Sequence, residues 1–246
     1  MDTRLWVEQW SVIMKNVIDA CAAHRAWLVF FDNTYMYPQT DEPQTEGIAF
    51  RPYGEKGCIR TAIAEELLKA MEQKRLTAMI CRAPEFCGPG KTQSITNSSI
   101  VEPLAQGKAA RVFLRDDTLR SLIYTPDASR AMAMLGNMPD AYGQTWHLPC
   151  DDDRLTYRAF IELAAEQFGT APRYQGLKRW QLRLAGLFSR RIRDAAELLP
   201  RYEMDNIFVS DKFKTRFPGF RVTTFSEGLA FIRDGHRVSN AGSAGM

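Results

Sequence analysis

No run of the 246-residue sequence stays apolar for longer than six residues, at 26–31. A bilayer-spanning helix needs about 20, so an integral membrane protein is excluded. The first ten residues, MDTRLWVEQW, lack the basic region, apolar core and small-residue cleavage site of a secretory leader, which makes the cytoplasm the expected compartment. Cysteine is sparse and scattered: Cys21, Cys58, Cys81, Cys87 and Cys150 include no CxxC pair. Neither a zinc knuckle nor a disulfide framework is indicated, and buried free thiols are expected. His24, His147 and His236 share no ligand spacing with one another or with the cysteines, so no metal site is expected. An excess of one charge is missing too. Lys and Arg number 32 against 29 Asp and Glu, a net +3, too balanced for nucleic acid or an anionic membrane to be the main partner.

What is present is a globular composition, 45% hydrophobic and 25% charged, long enough for one large domain or two small ones. From Leu5 onward Trp6, Trp10, Ile13, Met14, Val17, Ile18 and Cys21 recur at helical spacing. They predict an amphipathic helix to about His24, with Asp2 or Thr3 as its cap. Residues 26–31 (AWLVFF) then run into Asp32-Asn33, the pattern of a parallel strand buried on both faces. Pro38, Pro43, Pro52, Gly47 and Gly54 mark residues 38–54 as a long loop of the kind that carries function. Ile59, Ile63, Ala64, Leu67, Leu68 and Met71 repeat with helical period, and residues 76–81 (LTAMIC) supply a second buried strand. This alternation is that of a doubly wound α/β sheet with helices on both faces.

Beyond Arg82 the rhythm loosens into a Gly88-Pro89-Gly90 turn, a short helix near 98–106, strand-like pieces at 111–114 and 121–125, a helix at 126–135 and a strand at 144–148. Residues 156–168, 177–188 and 226–232 read as helices, and 238–246 as a loose tail. The expected architecture is α/β: a partial Rossmann-like, doubly wound parallel sheet of about three strands, with a smaller, mostly helical C-terminal lobe. The corresponding division is a coenzyme-type region at 1–82, a substrate-binding lobe with returning sheet elements at 83–236, and a flexible tail at 237–246.

Doubly wound proteins meet their ligands at the carboxyl ends of the strands, which makes Asn33 and Thr34 site candidates. Tyr53 and Lys56, in PYGEKG at the entrance to the next helix, form a second pair, because a nearby ammonium lets a phenol exchange a proton near neutral pH. Arg82 and Glu85 follow the second strand as candidate substrate contacts. Arg82 there is suited to a substrate phosphate or to an ordinary surface ion pair. Plainer readings suffice elsewhere. GPGKT at 88–92 has Glu85 where a phosphate-binding loop needs its first glycine, and Asp151-Asp152-Asp153 reads as a helix-capping loop. A basic stretch of Lys178, Arg179, Arg183, Arg190, Arg191 and Arg193 is interleaved with Trp180, Leu184, Leu187 and Phe188. It reads as a solvated face over a packed apolar stripe, in preference to a nucleic-acid or membrane contact.

Strand, polar step, loop, PYG, helix and strand, followed by RAPEF (82–86), GPG (88–90) and SLIYTPDASRA (121–131), resembles the extended short-chain dehydrogenase/reductases, in particular the NAD-dependent epimerase/dehydratase group, over about residues 6–232. The resemblance implies NAD or NADP as cofactor and a sugar nucleotide or similar polar small molecule as substrate. It implies Tyr53 as the phenol that takes a hydroxyl proton, Lys56 or another cation as support for the phenolate, and Asn33 or Thr34 as the group that orients the substrate. The sequence departs from the family twice. YxxxK puts the lysine where Gly57 stands, and Lys56 is rotated from that direction by about 100°. Neither GxGxxG nor GxxGxxG occurs, so the glycine turn that receives a pyrophosphate is absent. The chain corresponds to the family from the helix before its fifth strand onward, which leaves residues 26–31 with an open edge. A homo-oligomer, or a missing N-terminal half supplied separately, is therefore expected. The alternative function is a catalytically inactive module that binds a ligand or a partner protein.

Overall fold

The computed structural model of the chain describes residues 3–90 and 94–243. Helix α1 (Thr3–His24), strand β1 (Leu28–Asp32), helix α2 (Gly54–Glu72) and strand β2 (Ala78–Arg82) follow in the order read from the sequence. β1 and β2 pair in parallel, Leu28 opposite Ala78 and Asp32 opposite Arg82. β7 (Thr145–His147) joins β2 on its other side, also parallel, with Arg82 opposite His147. In the order β1-β2-β7 the middle strand is buried along its whole length. Ala78 and Ile80 pack with Met14 and Ile18 of α1 and Ile63 and Leu67 of α2. Met79 and Cys81 pack on the other face with Ala131 and Leu135 of α4 (Thr125–Gly136) and with Trp146 and Leu148. Side chains alternate across a strand, so one with helices on both faces has no position for a polar residue until it leaves the sheet.

The second lobe is built on three two-stranded ladders. β3 (Glu85–Cys87) pairs with β6 (Leu122–Tyr124) and β4 (Ala110–Phe113) with β9 (Tyr174–Leu177), both parallel, while β5 (Leu119–Arg120) is antiparallel to β8 (Leu155–Thr156). A π-helical turn at Asn97–Val101 runs into α3 (Glu102–Ala105). These elements and α5 (Tyr157–Phe168) and α9 (Phe225–Ser243) share a core that includes Ile100, Leu104, Val112, Leu122, Phe160 and Leu229. Thr156 caps α5 by accepting from the Ala159 amide at 3.2 Å, and Gly169 at φ +66° ends it in the left-handed conformation. The GPG turn has a packing reason: a Cβ on Gly88 would overlap the Thr125 side chain, and Asn97 Nδ2 donates to the Gly88 carbonyl at 2.6 Å.

Three features differ from the periodicity. Residues 174–177 form β9 because their backbone pairs with β4, a choice settled 64 residues away between Ala110 and Tyr174, and the helix expected at 177–188 begins only at Arg179 as α6 (Arg179–Phe188). α7 (Arg190–Ala195) and α8 (Asp211–Arg216) are too short to show a period. Residues 238–243, expected to be a loose tail, continue α9, and residues 244–246 lie outside the described residues.

Among the described residues β1 has no partner on its outer side, and Phe31 near its end is exposed. A bare apolar edge is open to a further strand. Light scattering at high protein concentration should therefore give a mass above that of one chain, and a monodisperse monomer would contradict this.

Candidate active site

The register sets Asp32, Arg82 and His147 side by side at the carboxyl ends of three adjacent strands. Asp32 is buried and accepts from Arg60 Nε at 2.9 Å, Arg82 Nε at 3.4 Å and the Asn33 amide at 2.9 Å, with Arg60 Nη2 on the same oxygen. A buried carboxylate persists only with such pairing. Arg82 lies over the rings of Tyr37 and Phe50 and donates to the Tyr37 hydroxyl at 2.9 Å. His147 Nδ1 is 2.7 Å from the Val209 carbonyl, which can only accept. Nδ1 therefore carries the ring proton, and Nε2 accepts from the Tyr37 hydroxyl at 2.6 Å. Burial pushes the His147 imidazole down to about 3 and the Tyr37 phenol up to about 12, so both are neutral at pH 7.

Arg82 and Glu85, the expected substrate contacts, are both turned inward. Arg82 is fully enclosed in the Asp32 cluster and is neither a cleft residue nor half of a surface pair. Glu85 accepts from Tyr157 Oη at 2.8 Å, Thr96 Oγ1 at 2.7 Å and Arg120 Nη2 at 3.2 Å. Arg120, itself buried, lies over the rings of Tyr157 and Tyr202 and donates to the Arg201 carbonyl at 2.7 Å. Desolvation, with the Glu85 charge added, holds the Tyr157 and Tyr202 phenols well above their ordinary range.

The polar step after β1 does form one wall of a pocket. Asn33 Oδ1 accepts from the Tyr35 amide at 2.9 Å, a local turn that fixes the chain direction. Thr34 Oγ1 accepts from Arg201 Nη2 at 2.9 Å. Thr34, Tyr35, Tyr53, Leu198 and Arg201 line the same narrow pocket, with Tyr53 about half exposed (52%) at the start of α2. Arg201 lies 167 residues from Thr34 in the chain, and nothing local to either residue signals the contact.

Lys56 is not in this pocket. Its ammonium has three donors, and all three are used: on Thr3 Oγ1 at 2.7 Å, on the Asp194 carbonyl and on Glu197 Oε1. The side chain is completely buried. Glu197 also accepts from the Lys56 amide at 3.2 Å, setting a carboxylate at the positive end of α2. Gly54 makes this approach possible: it sits at φ +72°, and a Cβ there would overlap the Glu197 carboxylate. At Gly57, where YxxxK has its lysine, a Cβ would come within 3.0 Å of the Tyr35 carbonyl. The cation that shares the pocket with Tyr53 is Arg201. A second, larger cavity of about 580 Å³ lies beyond the turn at Ala196–Tyr202, with Lys108, Arg111, Phe113, Leu182 and Leu199 in its lining. Leu198 faces the narrow pocket and Leu199 the large one.

Burial raises the thiols of Cys81 and Cys87 to about 12 and that of Cys150 to about 11, the buried free thiols expected from the sequence; Cys21 is only partly buried and Cys58, on α2, is exposed, against that expectation.

A parallel sheet wrapped by helices, with its polar groups gathered at the carboxyl ends of the strands, defines the Rossmann-like class. Solved structures share the fold. UDP-glucuronic acid 4-epimerase from Bacillus cereus in complex with NAD superposes with a TM-score of 0.75 at 14% identity, over 96% of this chain and 70% of that one. The UDP-glucose 4-epimerase of Thermus thermophilus in complex with NAD gives 0.73 at 17%, over 96% and 75%. The dTDP-glucose 4,6-dehydratase of Bacillus anthracis str. Ames in complex with NAD gives 0.72 at 12%, over 93% and 67%. No protein of curated function matches the sequence. The sequence profile of the NAD dependent epimerase/dehydratase family matches residues 6–148, more than half of the chain, and the chain belongs to that family.

The described residues do not by themselves fit the family's dinucleotide. No glycine-rich turn of the dinucleotide-binding kind is present, the charges at the carboxyl edge of the sheet are engaged with one another, and Lys56 is committed to Glu197.

Two outcomes follow from the buried Lys56 and His147. Lys56→Met leaves Glu197 without its partner and should lower the unfolding free energy by about 3 kcal/mol, measured by urea denaturation. The His147 proton has the opposite sign of dependence from a charged, paired histidine. Below about pH 6.5 the unfolded chain takes up a proton that the folded chain refuses until about pH 3. Stability should thus decrease as the pH is lowered from about 6.5 towards 3, by up to about 1.4 kcal/mol per unit, and His147→Gln should flatten that slope.

Proposed function

We propose that the chain recognises a sugar nucleotide or a similar polar, anionic substrate, and that it serves NAD(P)-dependent epimerase- or dehydratase-type oxidoreduction in which most of the coenzyme is gripped by residues other than those described here. The observation that carries this reading is the convergence of Thr34, Tyr53 and Arg201 on one pocket at the carboxyl end of β1. Tyr53 is the exposed phenol suited to exchange a substrate hydroxyl proton, and Thr34, held by Arg201, orients that hydroxyl, with Asn33 shaping the turn beneath. Arg201 takes the part of the supporting cation that the family resemblance gives to Lys56 or another cation, because it is the cation lining the pocket with Tyr53. The larger cavity suits the nucleotide: Lys108 and Arg111 offer positive charge to phosphates and Phe113 an aromatic face to a base.

The second reading, a catalytically inactive ligand- or protein-binding module, draws on one observation, the enclosure of Lys56. Two titrations separate the readings. Calorimetry with UDP-glucose and UDP-glucuronic acid should show binding that Arg111→Ala weakens by about tenfold, the value of one charge-assisted phosphate contact; no heat with either compound overturns substrate recognition. NADH or NADPH, followed by nicotinamide fluorescence, should bind only weakly to the chain alone. Micromolar binding would rule out the inactive module and would also show that these residues hold the coenzyme themselves.

A further inference from the structure

The apolar side chains that α6 offers as a packed stripe are not packed. Trp180, Leu184, Leu187 and Phe188 are 61%, 52%, 73% and 87% exposed. Steps of four, three and one place them on one face of the helix. The opposite face is buried: Gly186 lies close against the Arg193 backbone of α7, and Leu182 lines the large cavity. A helix that buries its glycine and presents two leucines, a tryptophan and a phenylalanine has the pattern of a contact surface, because contiguous apolar ridges of this kind are rare on a free monomer.

The charges around the ridge identify what it meets. Residues 178–194 carry six basic side chains and one acidic one, whereas the whole chain is only +3. The acid, Asp194, faces inward: its carbonyl holds Lys56, and its carboxylate takes the Thr3 amide and Arg190. Arg183 lies between Trp180 and Leu187 on the exposed face, and Lys178 and Arg193 are exposed beside it. A second copy docked through this ridge about a two-fold axis would bring like charges together. A negatively charged lipid surface is complementary, since rings and leucines enter the acyl boundary while guanidinium groups stay at phosphate level.

We propose that α6 docks the protein on the surface of an anionic phospholipid bilayer, with Trp180, Leu184, Leu187 and Phe188 in the interface and Lys178, Arg183 and Arg193 against the headgroups. The contact is peripheral: among the described residues no helix is long and apolar enough to cross a membrane. The helix that lies on the lipid is also a wall of the 580 Å³ cavity, so the cavity mouth is held close to the membrane plane.

The test is co-flotation of the full chain with vesicles of phosphatidylcholine alone or of phosphatidylcholine with phosphatidylglycerol. The protein should float with the anionic vesicles and stay behind with the neutral ones, and added salt should release it. The double substitution Leu187→Asp and Phe188→Asp changes only side chains that already face solvent. It should keep the wild-type thermal unfolding profile and lose vesicle binding by about tenfold or more. Arg183→Glu should lose roughly tenfold, having removed one favourable charge and added one unfavourable. Absence of the wild type from the anionic fraction at low salt, or equal flotation of the double variant, overturns the proposal. So does a wild-type oligomer that neither floats nor survives the double substitution, which would make the ridge a protein interface.

Discussion

One buried carboxylate sets the geometry of the carboxyl edge of the sheet. Asp32 ends β1 in a buried site, where it is paired with two guanidinium groups, Arg60 from α2 and Arg82 from β2. Each partner depends on the others, because removing one charge from such a group leaves the rest desolvated and unpaired. The cluster fastens the crossover helix to the sheet at one level. It also fixes the exit of the chain, through the Asn33 amide on Asp32 and the Tyr35 amide on Asn33. The place of Thr34 in the pocket follows from those two bonds.

A second cluster of the same construction stands in the other lobe. Arg120 is enclosed by Glu85, Tyr157 and Tyr202 and donates to the Arg201 carbonyl, while the Arg201 side chain reaches Thr34. The two lobes thus meet through arginines, and the pocket lies where they meet. Raised phenols complete both clusters without adding charge, and a neutral imidazole does so in the first.

Periodicity makes α1, β1, α2 and β2 readable from the sequence, although β1, expected to be buried on both faces, is only partly buried and exposes Phe31 because among the described residues nothing pairs with its outer edge, an edge expected from the family resemblance. The family resemblance rests on these segments together with residues 82–90 and 121–131. β9, α7 and α8 are not legible, being short and held by distant partners. At the site, Asn33, Thr34 and Tyr53 are signalled by their position at a strand end and a helix start. Arg201 has no local signal. Lys56, Arg82 and Glu85 have suitable chemistry near the right places in the chain, Lys56 one residue short of the family's spacing, yet their side chains are claimed by Glu197, Asp32 and Arg120. Spacing reports which groups share a stretch of chain; only the fold decides what each one pairs with.

The three-stranded sheet contains no hairpin. β1 pairs with a strand 50 residues on, Leu28 with Ala78, and β2 with one 65 residues on, Ile80 with Thr145. Closing loops of that length costs chain entropy before any strand pairing repays it. During synthesis Leu28, Val29 and Phe30 emerge well before β2 does, and β2 well before β7. Acquisition of the native state is therefore slow for the size of the chain, and each apolar strand in turn is exposed to self-association while it waits.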